Sequence, residues 1–444
     1  MAAAERADPS KLAAELAAAG VLGVAGSYVD NSGIARVKTV PVGRLAHAAA
    51  HGIGMAPVFD VMLFDDSITS SPGSSGPVGD LRLFLDLERL TVLAALPGWA
   101  WAPVDRRAQD GQPHPGCQRA FARRMLLRAG ERGLELRMGF ELEWILYRRA
   151  GEEAALAVGG AGYGMDRLIE ASDYCRELLA TFAAQSLAIE QLHPEYAPAQ
   201  FELSLVPADP LAAADLALLA RHTVRAVTRR AGLDCSFAPS VAVDGVGNGC
   251  HLHVSLWRDG RTLMAGGRGP HGLVEEAEAF AAGLLDGLPA LLAIGAPSAA
   301  SYLRLQPQRW AAPYRCWGSE NREAGLRLAA AGPHANLEVK CVDAAANPYL
   351  LVGAVAALGL DGIERGLRLP EEVAVDPATL PEGLVEPLPR RLDEALERFR
   401  GSAVLAEALG APLFEAIVAV REAELKRFAG ASPEEIVAAT RFRY

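Results

Sequence analysis

MGFELEWILY, at residues 138–147, alternates aromatic and branched apolar side chains with two carboxylates, a pattern that predicts a β-strand. Residues i and i+2 of a strand point to the same face, so Glu141 and Glu143 share one side and the apolar residues share the other. Taken alone, the two carboxylates suit a solvated face of an antiparallel sheet better than a metal site. The choice between these two interpretations depends on the rest of the chain.

Composition excludes several classes of function. The chain has 444 residues, 51% of them hydrophobic, and a formal net charge of −11, which leaves no basic surface for nucleic acid and favours a small polar substrate. The six cysteines lie apart without a CxxC pair, which predicts reduced thiols rather than disulfides or a thiolate zinc site. Charged residues interrupt the alanine-rich N-terminus, and the longest apolar run, 349–360, is too short to cross a bilayer. We therefore expect a cytoplasmic protein without a membrane segment.

The order of the predicted elements indicates an α+β fold with two domains. Residues 21–39 alternate in the manner of two strands around a turn, which predicts a small N-terminal sheet domain. Residues 97–117 are rich in Trp, Pro, Asp and Gln and predict a linker, so we place the domains at residues 1–105 and 106–444. Residues 302–327 are dense in Arg, Trp and Pro, and we expect them to be irregular.

Later predicted strands also carry side chains of the metal-ligating type. They are Glu195 and Glu202 on either side of a proline-containing turn, His251 and His253 after a glycine-rich turn, and Glu338. A set that is mostly carboxylate with one or two imidazoles suits Mg²⁺ or Mn²⁺ better than zinc or copper, and its size suits two ions. The histidine pair alone is as compatible with a structural strand pair as with a ligand pair.

Basic residues cluster near these candidate ligands. Arginine forks, together with bound metal, are the usual means of stabilising a transferring phosphoryl group, whereas an isolated arginine cluster is more often a surface or a subunit contact. The basic residues are Arg304, Arg309, Arg315, Arg322, Arg327 and Lys340.

Five motifs occur in a specific order. They are GFELE at 139–143, EYAPAQFE at 195–202, GCHLHVSL at 249–256, NREAGLR at 321–327, and LEVK at 337–340 leading to ANPYL at 346–350. On these motifs the chain resembles the glutamine synthetase family, type I, over nearly its whole length. The resemblance implies a small N-terminal β-grasp domain and a large catalytic domain with a curved antiparallel sheet flanked by helices. It also implies a homo-dodecamer of two hexameric rings, with active sites shared between adjacent subunits.

The resemblance further implies a role for each matching residue, with ATP and two or three Mg²⁺ or Mn²⁺ ions per site. One metal would be held by Glu143, Glu195 and Glu202, and the metal that orients the ATP phosphates by Glu141, His251 and Glu338. The nucleotide would be contacted by His253, Ser255 and Arg327, and the catalytic residues would include Arg304, Arg322, Arg327 and Lys340. Glutamate and its acceptor amine would be bound by Glu143, Gly247, His251, Arg304, Trp310 and Lys340.

The chain departs from the family where the nitrogen nucleophile binds. Ammonia-using members carry a glutamate on the flap after the substrate arginine, and alignment from Arg304 places Trp310 at that position. A tryptophan cannot accept the proton, but it can line a pocket for a larger amine and stack on a cation. Asp65 or Asp66 could match the ammonium-binding aspartate, which in the family belongs to a neighbouring subunit. Lys340 replaces an arginine and supplies a point charge instead of a planar fork.

These departures resemble the γ-glutamylamine branch of the family, which includes γ-glutamylethanolamide and γ-glutamylpolyamine synthetases. We therefore expect an ATP-dependent ligase that joins the γ-carboxyl of glutamate to ethanolamine, a polyamine or a monoamine through γ-glutamyl phosphate. Ordinary glutamine synthetase is the first alternative. The second alternative is a catalytically inactive family member with a structural or regulatory role. For Trp310 itself, the alternative interpretation is an aromatic residue at a subunit contact.

Overall fold

Two sheets organise the chain in the computed structural model, which describes residues 8–72, 76–148, 155–329 and 332–444. The first sheet contains β1 Gly23–Val29, β2 Ala35–Pro41, β3 Ile53–Met55, β4 Leu81–Leu85, β5 Thr91–Val92 and β6 Trp99–Arg107. The second contains β7 Glu135–Arg148, β8 Ala155–Leu156, β9 Ile189–Pro194, β10 Gln200–Leu205, β11 Leu233–Ser236, β12 Leu252–Arg258, β13 Arg261–Thr262, β14 Tyr314–Ser319, β15 Ala324–Ala329 and β16 Asn336–Val339.

Helices precede, connect and follow these strands, which confirms the α+β fold. They are α1 Pro9–Ala18, α2 Leu45–His51, α3 Gln118–Glu131, α4 Met165–Glu170, α5 Ser172–Ala184, α6 Pro210–Arg230, α7 Glu275–Gly295, α8 Ser301–Arg304, α9 Pro348–Arg365, α10 Leu392–Arg400, α11 Ala403–Leu409, α12 Ala411–Arg427 and α13 Pro433–Thr440. The expectation that 302–327 is irregular was wrong, because most of α8, all of β14 and most of β15 lie there.

The first sheet begins with the predicted hairpin of β1 and β2. Its turn forms because one oxygen of Asp30 accepts hydrogen bonds from the backbone N–H groups of Ser32 (2.9 Å) and Ile34 (3.0 Å). The sheet has the order β2-β1-β6-β4-β3, and β1 runs parallel to β6. The domain boundary predicted after residue 105 falls inside β6, two residues before its end, and the division into domains stays a prediction.

The second sheet has the order β14-β15-β16-β12-β7-β10-β9, and its pairings are antiparallel except for β14 with β15. The long strand β7 is central, since its first half pairs with β12 and its second half with β10. Phe140, Leu142 and Trp144 on its apolar face are fully buried. The opposite face is left to Glu141 and Glu143, so β7 separates the hydrophobic core from the carboxylates.

Helices α7 and α9 pack tightly within the core. A Cβ atom on Gly283 would lie 2.4 Å from the carbonyl oxygen of Leu358 and 2.7 Å from Cα of Gly362, so only glycine allows this approach. Helix α7 is long and apolar enough by composition to span a membrane, but 89% of its apolar window is buried inside the protein. Its apolarity is therefore explained by packing.

Candidate functional site

The carboxylate face of β7 lines a cleft of about 910 Å³. The other walls come from β9, β10 and β12, from the glycine-rich turn at 244–249, and from residues 305–313, which we call the flap loop. Most of the predicted site residues line this cleft. They are Glu141, Glu143, Glu195, Glu202, Gly247, His251, His253, Arg304, Trp310, Arg322, Arg327 and Lys340.

Strand register brings the first candidate metal cluster together. Residue 253 of β12 pairs with residue 139 of β7 on one side and with residue 338 of β16 on the other. As a result, Nδ1 of His251 lies 3.0 Å from Oε2 of Glu141 and 3.4 Å from Oε1 of Glu338. One ligand atom from each of these three residues lies within 4.8 Å of the other two, a spacing suited to one metal ion.

Two further clusters share Glu202, which pairs directly with Glu143 across β7 and β10. Glu143, Glu202 and His251 form one of them, and His193, Glu195 and Glu202 form the other. Sequence reasoning missed His193, whose Nε2 lies 3.2 Å from Oε1 of Glu202. The available signal was the short turn at 195–199, because a tight β9–β10 hairpin places residue 193 opposite residue 202.

Burial strongly perturbs these carboxylates. It raises the pKa of Glu143 to about 7, although Arg304 and a backbone hydrogen bond from Gly249 oppose the shift. It also raises the pKa of Glu202, against the hydrogen bond with His193. Burial opposes ionisation of Glu338 too, but Lys340 and the two nearby histidines lower its pKa to about 2. Burial thus favours the neutral form of Glu143 and Glu202, and a divalent cation bound between them would favour the ionised form that ligates it.

The pKa values of the two histidines move in opposite directions. Burial and the charge of Lys340 lower the pKa of His251. Burial also opposes protonation of His253, but its contacts with Glu141 and Glu338 raise its pKa to about 9. His251 is therefore the better metal ligand of the pair, since a ligating imidazole must be neutral.

The glycine-rich turn fits closely against these ligands. A Cβ on Gly249 would lie 2.4 Å from Nε2 of His251 and 2.8 Å from Oε1 of Glu143, and a Cβ on Gly247 would lie 2.0 Å from the carbonyl oxygen of Pro239. The N–H of Gly249 donates to Oε2 of Glu143 (2.9 Å), and the side-chain amide of Gln200 donates to the same oxygen (2.8 Å). Gln200, which sequence reasoning did not single out, therefore orients Glu143.

The cationic wall contains Arg304, Lys340, Arg327 and Arg322. Arg304 is buried, donates through Nη2 to the carbonyl oxygen of Lys340 (3.2 Å), and has no hydrogen-bond partner for Nη1 in the part of the chain that the structure describes. This buried donor is available to an anionic ligand. Lys340 and Arg327 both contact Glu338, at 3.3 and 2.9 Å, whereas Arg322 is exposed at the cleft surface.

Aromatic side chains surround the cleft near the flap loop. The indole of Trp310 is 53% exposed, and its ring centroid lies 6.0 Å from that of Tyr196 in an edge-to-face arrangement. Tyr163 lines the cleft beside them, 6.3 Å from the ring of His193. These aromatics lie next to the carboxylates Glu195 and Glu202, a combination suited to an organic cation.

Four predicted site residues are not part of the cleft lining. Glu338 is buried and contacts the lining residues His251, Arg327 and Lys340. Ser255 accepts a hydrogen bond from the indole of Trp257 at 2.9 Å. Asp65 pairs with Arg427 at 3.1 Å, and Asp66 pairs with Arg36 at 2.5 Å. Their predicted roles stay predictions, and the two aspartates were expected to serve a neighbouring subunit.

Comparison with known proteins adds independent findings. The chain matches the family "Glutamine synthetase, catalytic domain" over residues 115–438. It is 51% identical over 446 aligned positions to gamma-glutamylpolyamine synthetase GlnA3 of Streptomyces coelicolor, with 98% of this chain and 96% of that protein covered. It is 33% identical to a glutamine synthetase of Pyrococcus horikoshii, with coverage of 86% and 85%.

Solved structures agree with this result. A novel glutamine synthase homolog superposes with a TM-score of 0.86 at 34% identity, with 96% of this chain and 99% of that chain covered. A GmaS/ADP complex superposes with a TM-score of 0.85 at 30% identity, with coverage of 95% and 97%.

Proposed function

This chain belongs to the glutamine synthetase family, and we propose that it joins the γ-carboxyl group of glutamate to an organic amine at the expense of ATP. One observation supports the choice of an amine over ammonia: Trp310 lines the cleft. Alignment from Arg304 assigns it to the flap position where ammonia-using members have a glutamate. The 51% identical relative is named for polyamines, which favours a polyamine as the amine. Ethanolamine and monoamines are the other candidates.

Family membership implies the use of ATP and of a divalent metal. We assign one Mg²⁺ or Mn²⁺ ion to Glu141, His251 and Glu338 and a second to Glu143, Glu195 and Glu202. The buried carboxylate donors fit such ions, and the cluster of His193, Glu195 and Glu202 supports a third ion or a different ligand set for the second. When bound, the metal neutralises the charge of phosphate oxygens during phosphoryl transfer.

The chain's own residues then position three substrates. Arg304 offers its unpaired Nη1 to a carboxylate of glutamate, and Gly247 leaves space beside the Arg304 stem. His253 and Ser255 are assigned to the nucleotide, and Arg322 and Arg327 to its phosphates. Lys340 lies close to Glu338 and supplies positive charge between the phosphate and glutamate ends.

The reaction proceeds in two steps. A γ-carboxylate oxygen of glutamate forms a bond to the γ-phosphorus of ATP, and the bond to the bridging oxygen breaks, which gives γ-glutamyl phosphate and ADP. The neutral amine nitrogen then attacks the acyl carbon, the bond from that carbon to the phosphate oxygen breaks, and the nitrogen loses a proton to the departing phosphate to give the amide. The chain's arginines contribute by holding the carboxylate and phosphate in line.

The aromatic side chains select the nucleophile. Trp310 and Tyr196 offer ring faces and edges to the methylene groups and the second ammonium group of a diamine or polyamine. Ammonium has no methylene groups and no second charge to offer to these rings. Asp65 or Asp66, contributed by a neighbouring subunit of a homo-dodecamer, is proposed to complete the amine site in a cytoplasmic enzyme.

Product analysis across an amine panel tests this proposal. Phosphate release and γ-glutamylamide mass would be measured with glutamate, Mg²⁺-ATP and ammonium, ethanolamine, putrescine, spermidine, spermine or small alkylamines. We expect a polyamine to give the highest kcat/KM and ammonium to be at least tenfold poorer. The highest kcat/KM with ammonium would refute the proposal in favour of ordinary glutamine synthetase.

A further inference from the structure

The flap loop has an unusual backbone. Gln308, Trp310 and Ala312 adopt φ values of +61°, +54° and +57°, a left-handed region that side chains with a Cβ atom seldom occupy. Three such residues in alternation cost conformational free energy, so neighbouring groups must hold the loop in this form.

Glu323 makes two contacts that hold the flap loop in this conformation. Its Oε1 accepts a hydrogen bond from the backbone N–H of Trp310 (2.6 Å), and its Oε2 accepts one from the backbone N–H of Gln308 (3.2 Å). The two oxygens of one carboxylate thus bind the N–H groups of two left-handed residues. Bonds from N–H groups to an ionised carboxylate are stronger than those to neutral acceptors.

The position of Glu323 is itself well fixed. The residue is only 6% exposed and directly precedes β15. Its backbone N–H donates to Oδ1 of Asn321 (3.1 Å), whose side-chain amide donates to the carbonyl oxygen of Val373 (2.7 Å). The carboxylate is therefore presented to the flap loop from the start of β15, the second strand of the sheet.

The other attachments of the flap loop in the described residues lie at its two ends or act through side chains. At the ends, the backbone N–H of Leu305 donates to the carbonyl oxygen of Ser301 (3.1 Å), and the carbonyl oxygen of Pro313 accepts from the N–H of Leu388 (2.8 Å). Arg309 donates to the carbonyl oxygen of Gly245 (2.8 Å), and Gln306 donates to that of Tyr302 (2.8 Å). The indole of Trp310 meets Tyr196 only edge to face. None of these contacts fixes the backbone at residues 308 and 310, which determines where the indole lies.

We propose that Glu323 is a positioning residue that holds the flap loop in its left-handed conformation and so keeps Trp310 at the entrance of the amine site. Glu323 does not line the cleft, and it acts through Trp310. Its effect on amine selection rests on the function proposed above, whereas its hold on the loop does not.

Amide hydrogen exchange on the full-length protein tests directly whether Glu323 holds the flap loop. Glu323→Ala removes both acceptors, and Glu323→Gln keeps one acceptor oxygen. Glu394→Gln is a matched control, because Glu394 also accepts a backbone N–H, that of Arg390 (2.8 Å), away from the cleft. We expect exchange in a peptide covering 305–313 to rise about tenfold or more in the alanine variant, by less in the glutamine variant, and not at all in the control. Unchanged exchange in both Glu323 variants would overturn the inference whatever the substrate.

Steady-state kinetics test the consequence. In Glu323→Gln we expect the KM for the best amine to rise about tenfold, while the KM values for ATP and glutamate change by less than about twofold. Faster exchange with an unchanged amine KM would overturn the link from Glu323 to amine selection. If the wild-type enzyme prefers ammonium, the proposed function fails, but the exchange result still decides whether Glu323 holds the loop. Exchange in peptides from β7 and β10 must stay unchanged, which excludes general unfolding.

Discussion

Replacing Gly249 by alanine would place one methyl group at the centre of the candidate metal site. The new Cβ would lie 2.4 Å from Nε2 of His251, 2.8 Å from Oε1 of Glu143 and 3.0 Å from an Nη of Arg304. Ordinary contacts of a methyl carbon need about 3.4 Å or more, so the imidazole must move by roughly 1 Å. Displacements of about 1 Å in a catalytic array cost on the order of a hundredfold in rate, or about 2.7 kcal/mol.

We therefore expect Gly249→Ala to lower kcat/KM for phosphate release at least about a hundredfold, with a matching loss of Mn²⁺ affinity measured by calorimetry. Gly245→Ala is the matched control in the same turn. Its nearest neighbour would be Cβ of Ala242 at 3.3 Å, so we expect activity within about threefold of wild type. Both proteins should unfold within a few degrees of wild type. Near-normal activity and Mn²⁺ binding in Gly249→Ala would refute the assignment of His251 and Glu143 to the metal site.

Three further predictions follow from the geometry. Glu143→Ala should reduce turnover below detection by phosphate release, because it removes a metal ligand and one of the acceptors of the Gln200 amide. Turnover near the wild-type rate would contradict the metal assignment. Trp310→Glu should shift the ratio of kcat/KM values toward ammonium by about tenfold or more in the amine panel, and an unchanged ratio would mean that the flap alignment is wrong. Gly283→Ala should lower the free energy of unfolding by about 2–4 kcal/mol in denaturant titrations, because the new Cβ clashes with α9. In the control Gly130→Ala, in α3, the new Cβ meets no atom within 4 Å, so the free energy of unfolding should rise by about 0.5–1 kcal/mol. Equal effects of the two substitutions would disprove the packing argument.

The sequence predicted the strand-borne part of the site because a strand has a period of two. Glu141 and Glu143 had to share a face, as did His251 and His253, whatever the global fold. Their alternation with buried aromatics also made Phe140 and Trp144 predictable core residues. The order of the motifs then indicated that these faces meet, although no distance between strands could be inferred from one sequence.

Contacts that depend on register or on loop conformation were not predictable in this way. His193 joins Glu202 only because β9 and β10 pair in one register, and a shift by one residue would turn it to the other face. The strands β14 and β15 were missed because their pairing is parallel and contains a register shift between Tyr314 and Trp317, which obscures the alternation. None of the left-handed residues of the flap loop is a glycine, so nothing in the sequence indicated their backbone conformation.

The distribution of these residues explains how one sheet could serve different nucleophiles. The candidate metal ligands Glu141, Glu143, Glu202 and His251 are on or next to paired strands, where a change in one position disturbs its neighbours through the register. Trp310 lies on a loop whose backbone is bound to the sheet through Glu323. A substitution at Trp310 can therefore change the shape of the amine site while the phosphoryl-transfer geometry stays intact. Substitutions in the flap loop should accordingly change amine selectivity with little loss in the rate of glutamate activation.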